Sequence, residues 1–253
     1  MNLEEYEVMY RQEQAYWWFV SRSELLNFYM REMIQLPRDP RILDLGCGTG
    51  ANLEALSEYG QAMGADFSSE ALAFCRKRAL PRLVQGNGEA LPIRSDSLDL
   101  VTAMDSLEHI PHDNAALGEI FRILKPGGKL LVTVPAFGFL WSEHDEALQH
   151  LRRYTASELT AKMRLAGFSM GKVTYVLFFL FFPVLVVRFL QNLTKTGTHP
   201  KTSISVLPAL VEKAFMLLNR LEMVMLRWMD LPFGVTIVAV ATKPGSAVSG
   251  AVL

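Results

Sequence analysis

Cysteine is scarce in this sequence: its 253 residues hold two, Cys47 and Cys75. Two cannot build a disulfide framework, and they suit a reducing compartment. An excess of charge of one sign is lacking as well, since 25 Lys+Arg balance 26 Asp+Glu for a net charge of −1. A general nucleic-acid binder would be basic, so no nucleic-acid partner is expected. The opening residues MNLEEYEVMY lack the basic-then-apolar order of a secretory leader, and a cytoplasmic location is expected. No Gly-Lys-Ser/Thr follows a glycine turn, which excludes a P-loop. The chain is half hydrophobic with balanced charge, the composition of a folded protein and not of a disordered one.

What is present alternates. Short β-like runs at 41–44, 62–66, 83–85, 98–104 and 129–134 are separated by helix-like segments at 51–59, 69–79, about 112–124 and 155–166. The last opens on the capping box Thr155-Ala-Ser-Glu158 and stops at Gly167. Two further strands are expected near 170–177 and at 235–242, and residues 1–35 read as helical. Strands alternating with helices imply βαβ units and a parallel sheet covered on both faces.

In such a sheet, ligands bind beyond the carboxyl ends of the strands. Asp44 ends the first strand, and Gly46, Cys47, Gly48 and Gly50 form the turn after it. Glycine permits positive φ and lets a ligand lie on bare backbone, while the following helix offers unpaired N–H groups. Asp66, about twenty residues on, ends the second strand, where it can accept from both hydroxyls of a ribose. Gly86-Asn87-Gly88-Glu89 follows the third strand, Asp105-Ser106-Leu-Glu-His109 the fourth, and Leu124-Lys-Pro-Gly-Gly128 turns into the fifth. The G-x-G-x-G spacing lacks the G-x-G-x-x-G fingerprint of a nicotinamide-dependent oxidoreductase.

Over about residues 40–135 this set resembles the class I S-adenosylmethionine-dependent methyltransferases, in particular the branch with the ubiquinone and menaquinone biosynthesis enzymes. The resemblance implies an α/β, Rossmann-like seven-stranded sheet, with S-adenosylmethionine as cofactor. It also implies cofactor-binding roles for Asp44, Gly46, Cys47, Gly48, Gly50, Asp66, Phe67, Asn87, Gly88, Asp105 and Ser106. Asp44 would lie near the methionine amino group, Asp66 would hold the ribose and Phe67 would pack near adenine. Position 87 usually carries aspartate in the family; Asn87 retains a carbonyl that can accept from the adenine amino group.

Methyl transfer is an in-line displacement, so catalysis is mainly positioning, with a base needed only when the acceptor must lose a proton. His109 is one candidate; its structural alternative is a loop histidine. A second cluster, Trp141-Ser-Glu-His144-Asp145 through His150-Leu-Arg152-Arg153-Tyr154, follows the fifth strand. His144 and Asp145 join the catalytic candidates. Three readings of this cluster stay open: a metal site, an anion grip by Arg152 and Arg153, or a hydrogen-bonded scaffold. No metal is expected. Trp18 and Arg22, with His150, Arg153 and Tyr154, are the expected acceptor contacts. Bulky rings at Tyr16-Trp17-Trp18-Phe19 point all round a helix, which favours a lid over a simple core helix.

Residues 173–187 carry no charge, contain Pro183 and end at Arg188, too short a run for a confident membrane span. After a basic linker at 194–203, residues 209–230 form an amphipathic helix. Leu217, Leu218, Leu221, Val224, Met225 and Trp228 fall on one half of it. Six Lys/Arg stand against three Asp/Glu within 173–234, which suits the helical pair to a membrane interface. Three regions are therefore expected: an N-terminal helical cap (1–36), the cofactor domain (37–177 plus 232–245) and a hydrophobic helical insertion (178–231). The expected acceptor is a small hydrophobic or lipid-like molecule, met by a cytoplasmic protein peripheral to the inner membrane face. A soluble small-molecule O- or N-methyltransferase whose insertion is a lid or homodimer interface is the first alternative. A non-catalytic S-adenosylmethionine-binding protein is the second.

Overall fold

The computed structural model describes residues 3–193 and 208–245. The basic linker at 194–203 lies outside the described residues. A seven-stranded sheet holds β1 (Arg41–Leu45), β2 (Gln61–Asp66), β3 (Leu83–Gln85), β4 (Leu98–Met104), β5 (Leu124–Pro135), β6 (Ser169–Val176) and β7 (Thr236–Thr242). Their order across the sheet is β3-β2-β1-β4-β5-β7-β6. Strands β1 to β5 pair in parallel, and β7 runs antiparallel to both of its neighbours. β6 therefore points the same way as β5. The chain leaving β6 emerges at the edge that carries the loops after β1, β2, β4 and β5.

Helices cover both faces because successive strand residues turn opposite ways. On one face Ile42, Leu100 and Leu131 pack against α2 (Trp17–Glu32), α3 (Ala51–Leu56), α4 (Ser69–Lys77), α8 (Phe178–Leu193) and α9 (Ala209–Leu226). On the other, Leu43, Val101, Leu130 and Val132 pack against α5 (Asp113–Ile123) and α7 (Ala156–Leu165). The Thr155–Glu158 capping box starts α7, and Gly167, at φ +100°, follows its end.

Two elements differ from the sequence reading. The helical N-terminal segment breaks at 13–16 into α1 (Leu3–Gln12) and α2, because buried Glu13 turns inward to Arg78. β5 begins at Leu124, and the pairing of Leu98 with Leu124 absorbs the glycine turn through a register shift.

The insertion shows an inverted helix. The polar half of α9 faces the protein: Asn219 and Glu222 are buried, Arg220 pairs with Glu24 and Arg227 with Glu32 of α2. The Glu222 carboxylate accepts from the backbone N–H groups of Leu177 and Phe178, at 2.8 Å for the latter, and so caps the start of α8. Burial pushes that carboxyl up to about 7. The apolar half, Leu217, Leu218, Leu221, Val224, Met225 and Trp228, lies outside. Phe182, Val186, Phe189 and Leu190 of α8 are exposed as well. Among the described residues no helix is long and apolar enough to cross a membrane. Where the insertion rejoins the sheet, Val176 pairs with Thr236 and the Val235 N–H donates to the Val176 carbonyl at 3.1 Å. Gly234 lies so close to that carbonyl that a β-carbon would collide with it.

Candidate active site

The glycine turn is built as its sequence demands. Gly46, Gly48 and Gly50 have φ of +74°, +53° and +94°, where a side chain is strained. A β-carbon on Gly46 would stand 2.5 Å from that of Ser106, so the turn also lies hard against the loop after β4. The Gly48 N–H donates to Asp66 Oδ2 at 2.9 Å, and the Ser68 N–H donates to Asp66 Oδ1 at 2.9 Å. These bonds fix the carboxylate at the end of β2, beside a Phe67 ring that is 77% exposed. Cys47 faces Cys75 with 3.9 Å between the sulfurs, and the Cys75 thiol donates to the Gly48 carbonyl at 3.2 Å.

Asp44 is buried at the end of β1. Its Oδ1 accepts from Thr102 Oγ1 at 2.8 Å, while Oδ2 has no partner among the described residues. Burial pushes this carboxyl up to about 7, and the nearby charge of Asp66 adds to the rise. Asn87 uses its side-chain carbonyl on the Glu89 N–H at 3.0 Å. That oxygen is therefore already engaged in a turn, although a carbonyl retains a second lone pair. Gly88 follows, packed against Ile110.

Two parts of the site escaped the sequence reading, and a third, Arg22 with Trp18, was expected only as an acceptor contact. Helix α1 lies against the glycine turn, with the Met9 methyl beside Gly48. Glu13 accepts from the Thr49 hydroxyl and pairs with Arg78, which also donates to the Thr49 carbonyl at 2.9 Å. On the other side, Arg22 of α2 reaches Asp105 and donates to Thr133 Oγ1 at 2.7 Å. Burial lowers the Arg22 guanidinium to about 10. Trp18 stacks over that guanidinium at 5.8 Å. Asp105 itself sits at φ +51°.

The cluster after β5 holds the short helix α6 (Glu143–Ala147) and is organised by Asp145, which is 0% exposed. It accepts from the Ser142 N–H (2.9 Å) and hydroxyl (3.0 Å), from Arg153 Nε (2.7 Å) and Nη2 (3.0 Å), and meets His150 Nδ1 at 2.9 Å. Burial raises its carboxyl, but His150 and Arg153 outweigh that and hold it below the usual range. Arg153 also donates to the Ala136 carbonyl at 2.9 Å, and Arg152 pairs with Asp113 at 3.1 Å. Both guanidinium groups thus donate to acceptors within the protein. Tyr154 is buried and donates to Asp113 at 2.9 Å. His109 meets the His150 ring edge-on at 4.8 Å. Burial, with His150 adding to it, lowers His109 to about 4. His144 is lowered to about 4 by burial and Arg188. At neutral pH both rings are uncharged, and a base so depressed is weak.

The cofactor implied by the sequence fits this edge. S-adenosylmethionine carries an ammonium group, and the unpartnered Asp44 oxygen supplies the carboxylate such a group requires. Binding a cation favours ionised Asp44, whose ordinary value near 4 is displaced to about 7. Affinity should therefore rise with pH across neutrality, with a gain of up to roughly tenfold from pH 6 to pH 8. Calorimetry at the two pH values checks this, and Asp44→Asn should flatten the profile.

Comparison with known proteins agrees with the geometry. A family model described as a methyltransferase domain matches residues 43–132, and one described as the N-terminal part of anamorsin matches 93–175. The chain is 36% identical over 121 residues to a demethylmenaquinone methyltransferase of Corynebacterium efficiens, covering 45% of this chain and 52% of that one. For the demethylmenaquinone methyltransferase of Lactiplantibacillus plantarum the identity is 30% over 172 residues, covering 53% of this chain and 73% of the relative. The match thus spans about half the length of the first relative. A solved S-adenosylmethionine-dependent methyltransferase from Thermotoga maritima shares the fold, with a TM-score of 0.61 at 22% identity over 95% of both chains. With the cofactor edge in place and these relatives beside it, the chain belongs to the S-adenosylmethionine-dependent methyltransferases.

Proposed function

We propose that this chain transfers the methyl group of S-adenosylmethionine to a lipid-like acceptor of the quinol class, while lying on the inner membrane face. The observation that carries the reading is the exit of the insertion from the sheet edge that holds the cofactor residues, with its apolar surface turned outward. The names of the two demethylmenaquinone methyltransferases support the acceptor class.

The cofactor supplies a methyl carbon activated by sulfonium charge. Asp44 and Asp66 would hold its ammonium and ribose ends, and Gly46 and Gly48 would admit it to bare backbone. The acceptor approaches from the side of Phe137, Phe139 and Phe181, whose rings pack together between the end of β5 and α8. Such a wall excludes water and aligns the incoming nucleophile, which is most of what an in-line transfer needs. Trp18 and Arg22 of α2 stand at the same edge, beside Asp105 and Thr133.

Flotation with phosphatidylglycerol-containing vesicles tests the membrane part. Leu221 and Trp228 project outward, the latter 86% exposed. Replacing both with aspartate removes apolar burial on the order of 2 kcal/mol, so the vesicle partition should fall roughly thirtyfold. Each basic residue near the surface adds about 1 kcal/mol, screened by salt. Cofactor affinity should not change. Wild type that stays in the soluble fraction at low salt would leave the insertion as a lid or homodimer interface. Incubation with methyl-labelled S-adenosylmethionine and extracted membrane lipid tests the acceptor, and the absence of any labelled lipid would sink the quinol reading.

A further inference from the structure

We propose that Glu108, His109 and His150 form a binding site for one borderline divalent cation, of the zinc, cobalt or nickel type, beside the cofactor edge. The ligand-type atoms of these three side chains all lie within 4.8 Å of one another. They come from two loops, after β4 and after β5, that the parallel sheet brings to one edge. The sequence expectation of no metal considered Asp145 and its neighbouring histidines alone; the fold puts Glu108 in the third position.

Glu108 is the telling group. It is 0% exposed, and neither carboxylate oxygen has a hydrogen-bond partner among the described residues. A buried carboxylate without partners is costly, and it is neutralised by a proton or by a cation. Two guanidinium groups stand near it, those of Arg22 and Arg153. Arg153 is joined to Asp145, and Arg22 Nη2 to Asp105 and Thr133, while the buried Arg22 Nη1 has no hydrogen-bond partner among the described residues. Glu108 is left without a hydrogen-bonded counter-charge among the described residues.

Both histidines are prepared as ligands. His150 uses Nδ1 on Asp145 at 2.9 Å, which leaves Nε2 for a metal. His109 is oriented by a hydrogen bond with the Gln149 backbone. A carboxylate or carbonyl holding the far nitrogen is the usual support of a metal-bound imidazole, because it fixes the tautomer and the ring plane. Two imidazoles and a carboxylate favour borderline cations over magnesium or calcium, which prefer oxygen donors alone. Three protein ligands leave a position open, as catalytic sites do. An acceptor oxygen in that position is the part of the inference that rests on the methyl-transfer reading.

The cation site is tested without turnover. Full-length protein stripped with EDTA is titrated with Co²⁺ and followed by calorimetry and by the visible ligand-field bands. We expect one equivalent bound with nitrogen–oxygen ligation. Glu108→Gln should weaken it at least tenfold, and Asp145→Asn, acting through His150, by 10–100-fold. His109→Asn, at the partly exposed rim, serves if the Glu108 variant fails to fold. Wild type that binds no stoichiometric Co²⁺ overturns the site, as does unchanged affinity in a folded Glu108 or His109 variant. Cobalt bands that shift on adding a quinol, with label incorporation absent, would keep the cation and reject methyl transfer. Bands indifferent to a quinol that is methylated would overturn the open-position role alone.

Discussion

Asp66→Ala should weaken S-adenosylmethionine binding about a hundredfold. Two losses combine. The carboxylate disappears as a charged acceptor for the ribose hydroxyls, and charge-assisted bonds of that kind contribute about 1.5–3 kcal/mol. Asp66 also receives the N–H groups of Gly48 and Ser68, so its removal releases the loop on which the cofactor lies. Together these give roughly 3 kcal/mol. Asp66→Asn should lose nearly as much, because one amide face would present N–H to a backbone N–H. Calorimetry on each variant, with circular dichroism as a control on folding, makes the comparison. An affinity within threefold of wild type in a folded Asp66→Ala protein would remove the ribose from this position.

Asp145→Asn should cost about 3–5 kcal/mol of stability. The carboxylate is buried and joined to both Arg153 nitrogens, His150 and Ser142, and breaking such a group strands a buried guanidinium. At roughly 2–4 °C per kcal/mol for a domain of this size, the melting temperature should fall by about 10–15 °C. The pH dependence has a definite sign. Because the folded carboxyl lies below its usual range, its stabilisation is present above the unfolded value near 4 and is lost as pH falls through the folded one. Thermal melts of wild type and variant between pH 3 and pH 7 should therefore converge toward the acid end. A variant melting within about 2 °C of wild type at pH 7 would mean that the Arg153 fork is not holding the loop. Arg153→Lys then becomes the next measurement, for acceptor use.

The cofactor half was legible because its signals are local. Asp44, Gly46, Gly48 and Asp66 stand at strand ends, and a strand end places its residue on the sheet edge whatever the rest of the chain does. The partners of those residues were not legible. Nothing in the neighbourhood of Asp44 indicates that Thr102 will meet it, and nothing near Arg22 indicates Thr133 or Asp105. These are contacts between separate elements. The loop after β5 offered three chemistries from one string of residues, and only folding showed Arg153 turned onto Asp145. Periodicity on α9 correctly grouped its apolar residues yet was silent on which half points inward. The need of the Leu177 and Phe178 N–H groups for an acceptor explains why Glu222 does, and that need belongs to another helix.

The junction at Val176, Gly234 and Thr236 bears on how freely this chain can diverge. Val176 and Thr236, which bound the insertion, are partners on one rung of the ladder, pressed together where Gly234 passes the Val176 carbonyl. The entropy of closing such a loop grows with the logarithm of its length, about 0.6 kcal/mol for each doubling. The sheet is therefore nearly indifferent to how much chain hangs from that clasp. Descendants can lengthen, shorten or regrease the insertion while Asp44 and Asp66 stay in register. Changes in what hangs from the clasp leave the edge that carries Asp44 and Asp66 untouched.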